Sequence, residues 1–176
     1  DLDIELAKRL THRLDTAMKD LDDAARLMWA APSVQARFQD TGAITSATCE
    51  ALGLVDPAAR ACGLEPDVRQ DFPSGIFKFA QIPISKWDTG DVLARAWVRW
   101  LEIQRSAEFV REQLASLPDG PARAAVAPLM PAHLVVALTE GWRGEICHVA
   151  ITDADGQFAR YKVVDPSFRH WMRLAI

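Results

Sequence analysis

The strongest helical pattern of the chain is DTGDVLARAWVRWLEIQRSAEFVREQLASL, residues 88–117. Apolar residues recur there at alternating steps of three and four, which predicts a seam that packs against another helix. The seam positions are Leu93, Ala96, Trp100, Ile103, Ala107, Val110, Leu114 and Leu117. The sequence Pro-Asp-Gly-Pro at 118–121 then predicts a sharp end to the helix. The fold is therefore expected to be built around one long helix.

The same helix carries a second line of side chains, which is polar. Its members are Asp91, Arg95, Arg99, Glu102 and Ser106. Their spacing places them within about one helix face, where Asp91 can pair with Arg95, and Glu102 with Arg99. Two interpretations are open. The line is either a solvated charged face, whose ion pairs contribute little to stability, or a half-buried polar seam between parts of the protein.

Upstream of this helix, residues 2–30 predict another long helix. Its apolar positions recur at steps of three and four. They are Leu6, Leu10, Leu14, Ala17, Leu21, Ala24 and Met28. Glycine and proline are frequent between 40 and 75, so only short helices fit there. One such helix is predicted at Ser46–Leu52, with Thr45 as its cap.

The pattern changes after residue 133. Residues 134–138 are rich in strand-forming side chains, and 146–152 and 157–164 flank the turn sequence Asp-Ala-Asp-Gly at 153–156. We therefore predict a β-hairpin, followed by a short closing helix. The predicted fold is mainly α, or α+β if the hairpin is counted. It is one domain, residues 1–176, with a helical part (1–133), a hairpin part (134–164) and a closing helix (165–176).

Composition narrows the class of protein. Hydrophobic residues make up 49% and charged residues 25%, as in soluble globular proteins. The net charge of −4 argues against a nucleic-acid partner. No apolar run approaches the roughly 20 residues that span a bilayer. The chain does not start with Met, and we expect it to be a piece of a longer protein.

The residue types that bind metals and cofactors are sparse. Cys49, Cys62 and Cys147 are far apart, and no pair has the two-residue spacing of zinc or iron–sulfur ligands. The four histidines also lack ligand spacing, and no phosphate-binding or dinucleotide-binding glycine motif is present. We expect reduced thiols, and no metal or cofactor held by this chain.

Two charged segments outside the helices are candidate sites. In the loop at 59–69, Arg60, Asp67 and Arg69 either form a small buried ionic cluster or belong to an ordinary structural loop. In Gly-Trp-Arg-Gly-Glu at 141–145, Arg143 and Glu145 would point to the same side if the segment is extended. The alternative there is a tight turn with a local ion pair.

Six motifs occur in an order typical of one family. They are ALGLVDPAARACG at 51–63, DVR at 67–69, the polar line with its preceding glycine at 90–106, LPDGP at 117–121, EGWRGE at 140–145, and RYKV with DPSF at 160–168. Together they resemble the large subunit of energy-converting nickel–iron hydrogenases, of the formate-hydrogenlyase type, and its relative, the 49-kDa-type subunit of complex I. The resemblance covers roughly residues 40–172. Asp56 stands where the family often has Gly.

The resemblance implies a helical large subunit that takes part in electron transfer coupled to proton or ion movement. The chain would be its central fragment, cytoplasmic and peripheral to the inner membrane. The parent could hold a nickel–iron centre, because its cysteine motifs lie outside this region in the family. The implied partners are a small iron–sulfur subunit and, indirectly, membrane subunits. Helix seams facing absent segments would expose apolar surface or pair with a second copy of the isolated fragment.

The resemblance also assigns expected roles to individual residues. Asp67 and Arg69, with Arg60 nearby, would lie close to the redox site as a cavity wall or proton relay. Arg95, Arg99 and Glu102 would form the polar seam behind them. Arg143 and Glu145 would contribute to subunit docking. The alternative is a metal-free scaffold or interaction module without a catalytic role.

Overall fold

The computed structural model describes residues 4–118 and 123–172. The helices are α1 (Ile4–Ala30), α2 (Pro32–Phe38), α3 (Ser46–Ala51), α4 (Asp56–Arg60), α5 (Val68–Asp71), α6 (Val92–Ala115) and α7 (Ser167–His170), with a 3-10 turn at Gly75–Lys78. The strands are β1 (Leu134–Gly141), β2 (Gly144–Thr152) and β3 (Phe158–Val164). In these residues no helix is both long enough and apolar enough to cross a membrane.

The first long helix is confirmed over its described part, residues 4–30. Its packed side is narrower than predicted, because Ala7 and Ala25 are buried while Ala17, Leu21 and Ala24 are exposed. α1 lies against α6, and at its end Trp29 stacks on Trp97 with ring centroids 4.3 Å apart. α3 is also confirmed, and the hydroxyl of its cap Thr45 accepts a hydrogen bond from the Thr48 N–H.

The second long helix is confirmed as a helix, but its apolar seam was wrongly placed. α6 begins after Asp91, whose carboxylate accepts a hydrogen bond from the Ala94 N–H. Its buried residues are Ala94, Val98 and Ala107, of which only Ala107 belongs to the predicted seam, whereas Val110 is exposed. The difference arises because α6 packs on α4 as well as on α1. Three parts of the predictions lie outside the described residues. They are positions 2–3 of the first helix, positions 119–121 at the predicted end of α6, and positions 173–176 of the closing helix.

The chain after residue 133 forms a three-stranded antiparallel sheet in the order β1-β2-β3. The predicted hairpin is β2 and β3, joined at 153–156, and it is confirmed. The sequence prediction missed that β1 pairs with β2 through a two-residue turn, since Gly141 and Gly144 face each other across the ladder. A two-residue turn is enough to join antiparallel strands. The fold is therefore mixed α and β, and the mainly helical prediction is only partly right.

The most deeply buried apolar side chains of the helical part are small. Ala59, Ala61, Ala94 and Val98 have no exposed surface. Such residues let α4 and the start of α6 approach closely. Just before α6, Gly90 has φ +65°, and an added Cβ would lie 2.0 Å from the Ile44 carbonyl oxygen. This close packing brings the end of α4 against α6, where the candidate site lies.

Candidate functional site

Arg60, the last residue of α4, is the centre of a buried ionic cluster. It is 1% exposed and contacts four carboxylates. Its Nη1 lies 3.0 Å from Glu102 Oε1 and 3.4 Å from Asp67 Oδ2. Its Nη2 lies 3.1 Å from Glu140 Oε1 and also contacts the Asp56 carboxylate. We call these residues, with Arg69, the Arg60 cluster.

Separate elements supply the carboxylates. Asp56 begins α4 one turn before Arg60. Asp67 caps α5, accepting a hydrogen bond from the Arg69 N–H at 2.9 Å. Glu102 lies in the middle of α6 and Glu140 near the end of β1. The site therefore forms only when the helical part and the sheet are packed together.

Arg69 is the second guanidinium of the cluster. It holds Asp67 with two hydrogen bonds, from Nε to Oδ1 at 2.9 Å and from Nη2 to Oδ2 at 2.6 Å. The same Nη2 donates to Glu102 Oε2 at 3.1 Å. Glu102 is thus bridged by both arginines. Paired, charge-assisted hydrogen bonds of this kind fix side-chain geometry as well as contributing energy.

The carboxyl groups of the Arg60 cluster differ in their electrostatic surroundings. Burial raises the pKa of Asp67, but the hydrogen bonds and charge of Arg69, with the charge of Arg60, outweigh it, so that this pKa is lowered overall. Burial and the negative charge of Asp67 raise the pKa of Glu140, against the Val68 N–H and the two arginines. Burial lowers the pKa of Arg69, but Asp67 and Glu102 more than compensate and raise it. Within one cluster, the surroundings therefore shift the pKa of Asp67 down and the pKa of Glu140 up.

Asp56 has an unusual backbone conformation. Its φ is 53°, in the left-handed region that favours glycine, and it stands where the family often has Gly. The residue is 3% exposed, and its carboxylate forms an ion pair with Arg60. This chain therefore adds a buried carboxylate at a position whose backbone suits glycine.

Three cavities surround the cluster. The arginine-lined cavity, of about 200 Å³, is lined by Arg60, Arg69, Arg99, Glu102 and Glu140, together with Trp142. The apolar cleft, of about 350 Å³, lies between Phe77, Phe109 and Leu138 and also touches Arg69 and Glu140. The acidic cavity, of about 30 Å³, is lined by Asp56, Asp67, Asp71, Glu140 and Glu145. The cluster therefore separates spaces of different polarity.

The polar line of α6 is a half-buried seam rather than a solvated face. The expected ion pairs are wrong: Asp91 accepts from the Asp40 and Ala94 N–H groups, and Arg95 donates to the Gly42 and Gly90 carbonyls. The other expected pair, Arg99 with Glu102, is also replaced. Arg99 donates to the Arg95 carbonyl at 3.1 Å, and burial lowers its pKa. Arg99 and Glu102 line the arginine-lined cavity, whereas Arg95 is tied to the loop before α6.

The residues predicted for docking lie at the β1–β2 turn. Arg143 pairs with Asp165 at 3.5 Å, and Glu145 pairs with Arg169 of α7. The tight turn is present, but its charged residues pair with the segment after β3 rather than with each other. The pair Glu145–Arg169 joins β2 to α7, and the pair Arg143–Asp165 joins the β1–β2 turn to the segment between β3 and α7.

The cysteines of this chain do not fit a nickel–iron centre, which needs several thiolates in one place. Cys49 and Cys62 are packed into the apolar core with Leu54, Ala58 and Ala59, and Cys147 lies on β2. Within 4–118 and 123–172, no three His, Cys, Asp or Glu side chains are grouped so that they could hold a metal ion.

Sequence reasoning grouped Arg60, Asp67 and Arg69, but it placed Glu102 in a seam behind them and missed Asp56 and Glu140. Glu140 lies 80 residues from Arg60, so no local spacing connects them. It opens the motif EGWRGE at 140–145, and its place in that motif was the available signal. For Asp56 the signal was the replacement of a family glycine.

Comparison with known proteins gives the family. The family model described as "Respiratory-chain NADH dehydrogenase, 49 Kd subunit" matches residues 1–133. The carbon monoxide-induced hydrogenase of Rhodospirillum rubrum is 33% identical over 155 residues, which are 88% of this chain and 43% of the relative. An NADH-quinone oxidoreductase subunit of Anaeromyxobacter sp. (strain K) is 32% identical over 168 residues, covering 91% of this chain and 44% of the relative.

A solved structure supports the fold independently. A chain of the membrane-bound sulfane sulfur reductase, an archaeal respiratory membrane complex, superposes with a TM-score of 0.85 at 21% identity, covering 97% of this chain and 48% of that one. The chain thus spans less than half the length of these relatives. By the match over residues 1–133, and by these relatives, the chain belongs to the family of the 49-kDa subunit of respiratory-chain NADH dehydrogenase.

Proposed function

We propose that the chain is part of the large subunit of a membrane-associated complex of the hydrogenase or NADH:quinone oxidoreductase type, in which the Arg60 cluster forms a charged wall of the redox cavity. One observation carries this proposal. Glu102, Arg60 and Arg69 are joined by hydrogen bonds at the surface of a cavity of about 200 Å³. Buried ion pairs that border a cavity are typical of functional sites.

The wall would act by holding charges fixed beside the reaction. Arg60 and Arg69 are anchored from several directions, so their positive charges need not reorient when charge develops nearby. Such preorganised groups stabilise developing charge better than mobile ones. The carboxylates would relay protons that accompany electron transfer, because burial and charge pairing tune their proton affinities.

The partners belong to the same proposal. A small iron–sulfur subunit would contact the large subunit, and membrane subunits would be reached through it, which makes the chain a peripheral component. The names of the relatives and of the similar structure support a place in a multisubunit, membrane-associated complex. The cysteines here do not fit a metal centre, and no step of the proposal passes through one.

The test is turnover of the complete complex that carries the full-length protein, measured as hydrogen-driven dye reduction and as NADH-driven quinone reduction. Glu102→Gln and Asp67→Asn should each slow turnover at least about tenfold, the loss that 1.4 kcal/mol of transition-state stabilisation produces. The matched control is Glu65→Gln, since Glu65 is an exposed glutamate whose ion pair with Lys86 lies at the surface. Full turnover of both cluster variants in an intact complex would favour the scaffold alternative.

A further inference from the structure

Glu140 has a position that no other carboxylate of the Arg60 cluster shares. Among the described residues it is the only carboxylate that lines the arginine-lined cavity, the apolar cleft and the acidic cavity together. Glu102 reaches only the first of these, and Asp67 only the acidic cavity. Asp56 reaches two cavities but is held in its ion pair with Arg60. Glu140 is therefore the carboxyl group of the cluster that can exchange a proton with all three spaces.

The charges of the cluster do not balance if every group is ionised. Four carboxylates, Asp56, Asp67, Glu102 and Glu140, surround the guanidinium groups of Arg60 and Arg69. Counting Arg99, which lines the same cavity, leaves four negative charges against three positive ones. Arginine does not lose its proton in proteins, and an uncompensated buried charge is costly. One proton bound to a carboxyl group removes the excess.

The groups around Glu140 favour it as the site of that proton. Arg60 and Arg69 act against protonation, but Asp67 faces Glu140 from α5, and Glu145 is its directly opposed partner on β2. Like charges opposed across a ladder repel each other. Glu145 is already matched by Arg169, and Asp67 by two hydrogen bonds from Arg69. The negative charge of Glu140 is therefore less well compensated than the charges of Glu145 and Asp67, which agrees with the raised pKa of Glu140.

The hydrogen bonds of Glu140 leave room for a proton. Oε1 accepts from Arg60 Nη2 at 3.1 Å, and Oε2 accepts from the Val68 N–H at 3.0 Å. Each carboxylate oxygen has two lone-pair positions, so a proton can occupy one without breaking either bond. Glu140 can therefore change its protonation state while staying in place.

We infer that Glu140 is a proton-carrying residue that takes up a proton from the acidic cavity and delivers it to water in the arginine-lined cavity. The acidic cavity has room for about one water molecule and adjoins the exposed Asp71, which connects it to solvent. An O–H bond forms at Glu140 as one breaks in a hydronium ion on the acidic side. The reverse step at the other cavity restores the carboxylate. This inference rests on the proposed function and names the residue through which its proton relay runs.

Asp56 adds a negative charge beside Arg60, the same guanidinium that Glu140 contacts. It lines both the acidic and the arginine-lined cavity and supplies the fourth carboxylate against Arg60. Replacing it with glycine removes one negative charge, and φ of 53° at this position suits glycine without strain. Asp56→Gly therefore tests the charge balance in a protein that still folds.

The experiment is a pH titration of the full-length protein followed by infrared spectroscopy, which separates the C=O stretch of a protonated carboxyl group from carboxylate bands. We expect such a band to persist above the pH at which exposed glutamates ionise. It should shift when the protein contains carbon-13-labelled glutamate and stay when only aspartate is labelled. Glu140→Gln should abolish it, Asp56→Gly should make it titrate at lower pH, and the surface control Glu65→Gln should leave it unchanged.

Transfer through the cavities has its own readout. After mixing with deuterium oxide, the band should move to its deuterated position within the mixing time, because water reaches Glu140. Absence of the band, a shift with labelled aspartate, no response to Asp56→Gly, or slow exchange would each overturn the inference. The band does not depend on turnover, so the two proposals can fail separately. If the band is present but the Glu102→Gln and Asp67→Asn variants turn over normally, the proposed function is wrong and the protonation of Glu140 is still supported.

Discussion

In two regions of the molecule the usual distribution of charged and apolar side chains is reversed. One is the Arg60 cluster, and the other is the outer end of the sheet, formed by Val135, Val136 and Phe158. Arg60 and Asp67 are each 1% exposed, whereas Val135, Val136 and Phe158 are 56–58% exposed. Charged groups are normally found outside and branched apolar groups inside. The buried charges are matched by partners on four elements. The side chains of Val135, Val136 and Phe158, by contrast, are more than half exposed in the structure of this chain.

Strand β1 connects the two regions. Its first residues, Leu134–Ala137, are exposed, whereas Glu140 near its end is a nearly buried member of the cluster. The same strand therefore contributes little apolar burial at one end and a charged contact at the other. Substitutions along this gradient should have effects on stability that follow the depth of the residue rather than its hydrophobicity.

The largest effect is expected from Arg60→Gln. It leaves Asp56 and Glu140 without their arginine contact, and Asp67 and Glu102 with Arg69 alone. Breaking a buried ion pair by removing one partner costs about 3–5 kcal/mol. The free energy of unfolding, measured by urea denaturation followed by circular dichroism, should fall by that amount. Arg26→Gln is the matched control, because its pair with Asp22 is exposed and such pairs contribute about 0–1 kcal/mol. Equal losses in the two variants would contradict the view that the cluster holds the fold together.

A smaller effect is expected from Gly144→Ala, at the joint between the sheet and α4. The added Cβ would lie 2.7 Å from Val55 Cγ2 and 3.0 Å from Pro166 Cβ. Overpacking there should cost about 1–3 kcal/mol, in addition to about 1–2 kcal/mol for an alanine at positive φ. Gly53→Ala is the control, since its φ is +62° and an added Cβ meets nothing within 4 Å. If the free energy of unfolding falls no more in Gly144→Ala than in Gly53→Ala, the sheet and α4 are only loosely packed against each other.

The sequence predicted elements whose signals are local. Both long helices follow from a repeat of three and four residues, and the β2–β3 turn follows from Asp-Ala-Asp-Gly at 153–156. The buried line of α6 was misplaced because Ala94 and Val98 pack with Ala61 at the end of α4, and periodicity does not identify the neighbour. Glu140 was missed because its partner Arg60 is 80 residues away. Contacts that depend on packing between elements lie beyond a single-sequence pattern.

The smallest effect is expected from Val136→Thr, on the outer part of β1. Threonine has nearly the same shape and also favours strands, and Val136 is 58% exposed, so the free energy of unfolding should change by less than about 0.5 kcal/mol. The same change at Val98 is the matched comparison. Val98 has no exposed surface, and burying a hydroxyl there should cost about 1–3 kcal/mol. Both variants would be measured by urea denaturation under identical conditions. If the free energy of unfolding falls as much for Val136→Thr as for Val98→Thr, the outer end of the sheet is buried against something in solution. The contrast between the buried cluster and the exposed outer sheet would then be a property of the isolated chain rather than of the protein.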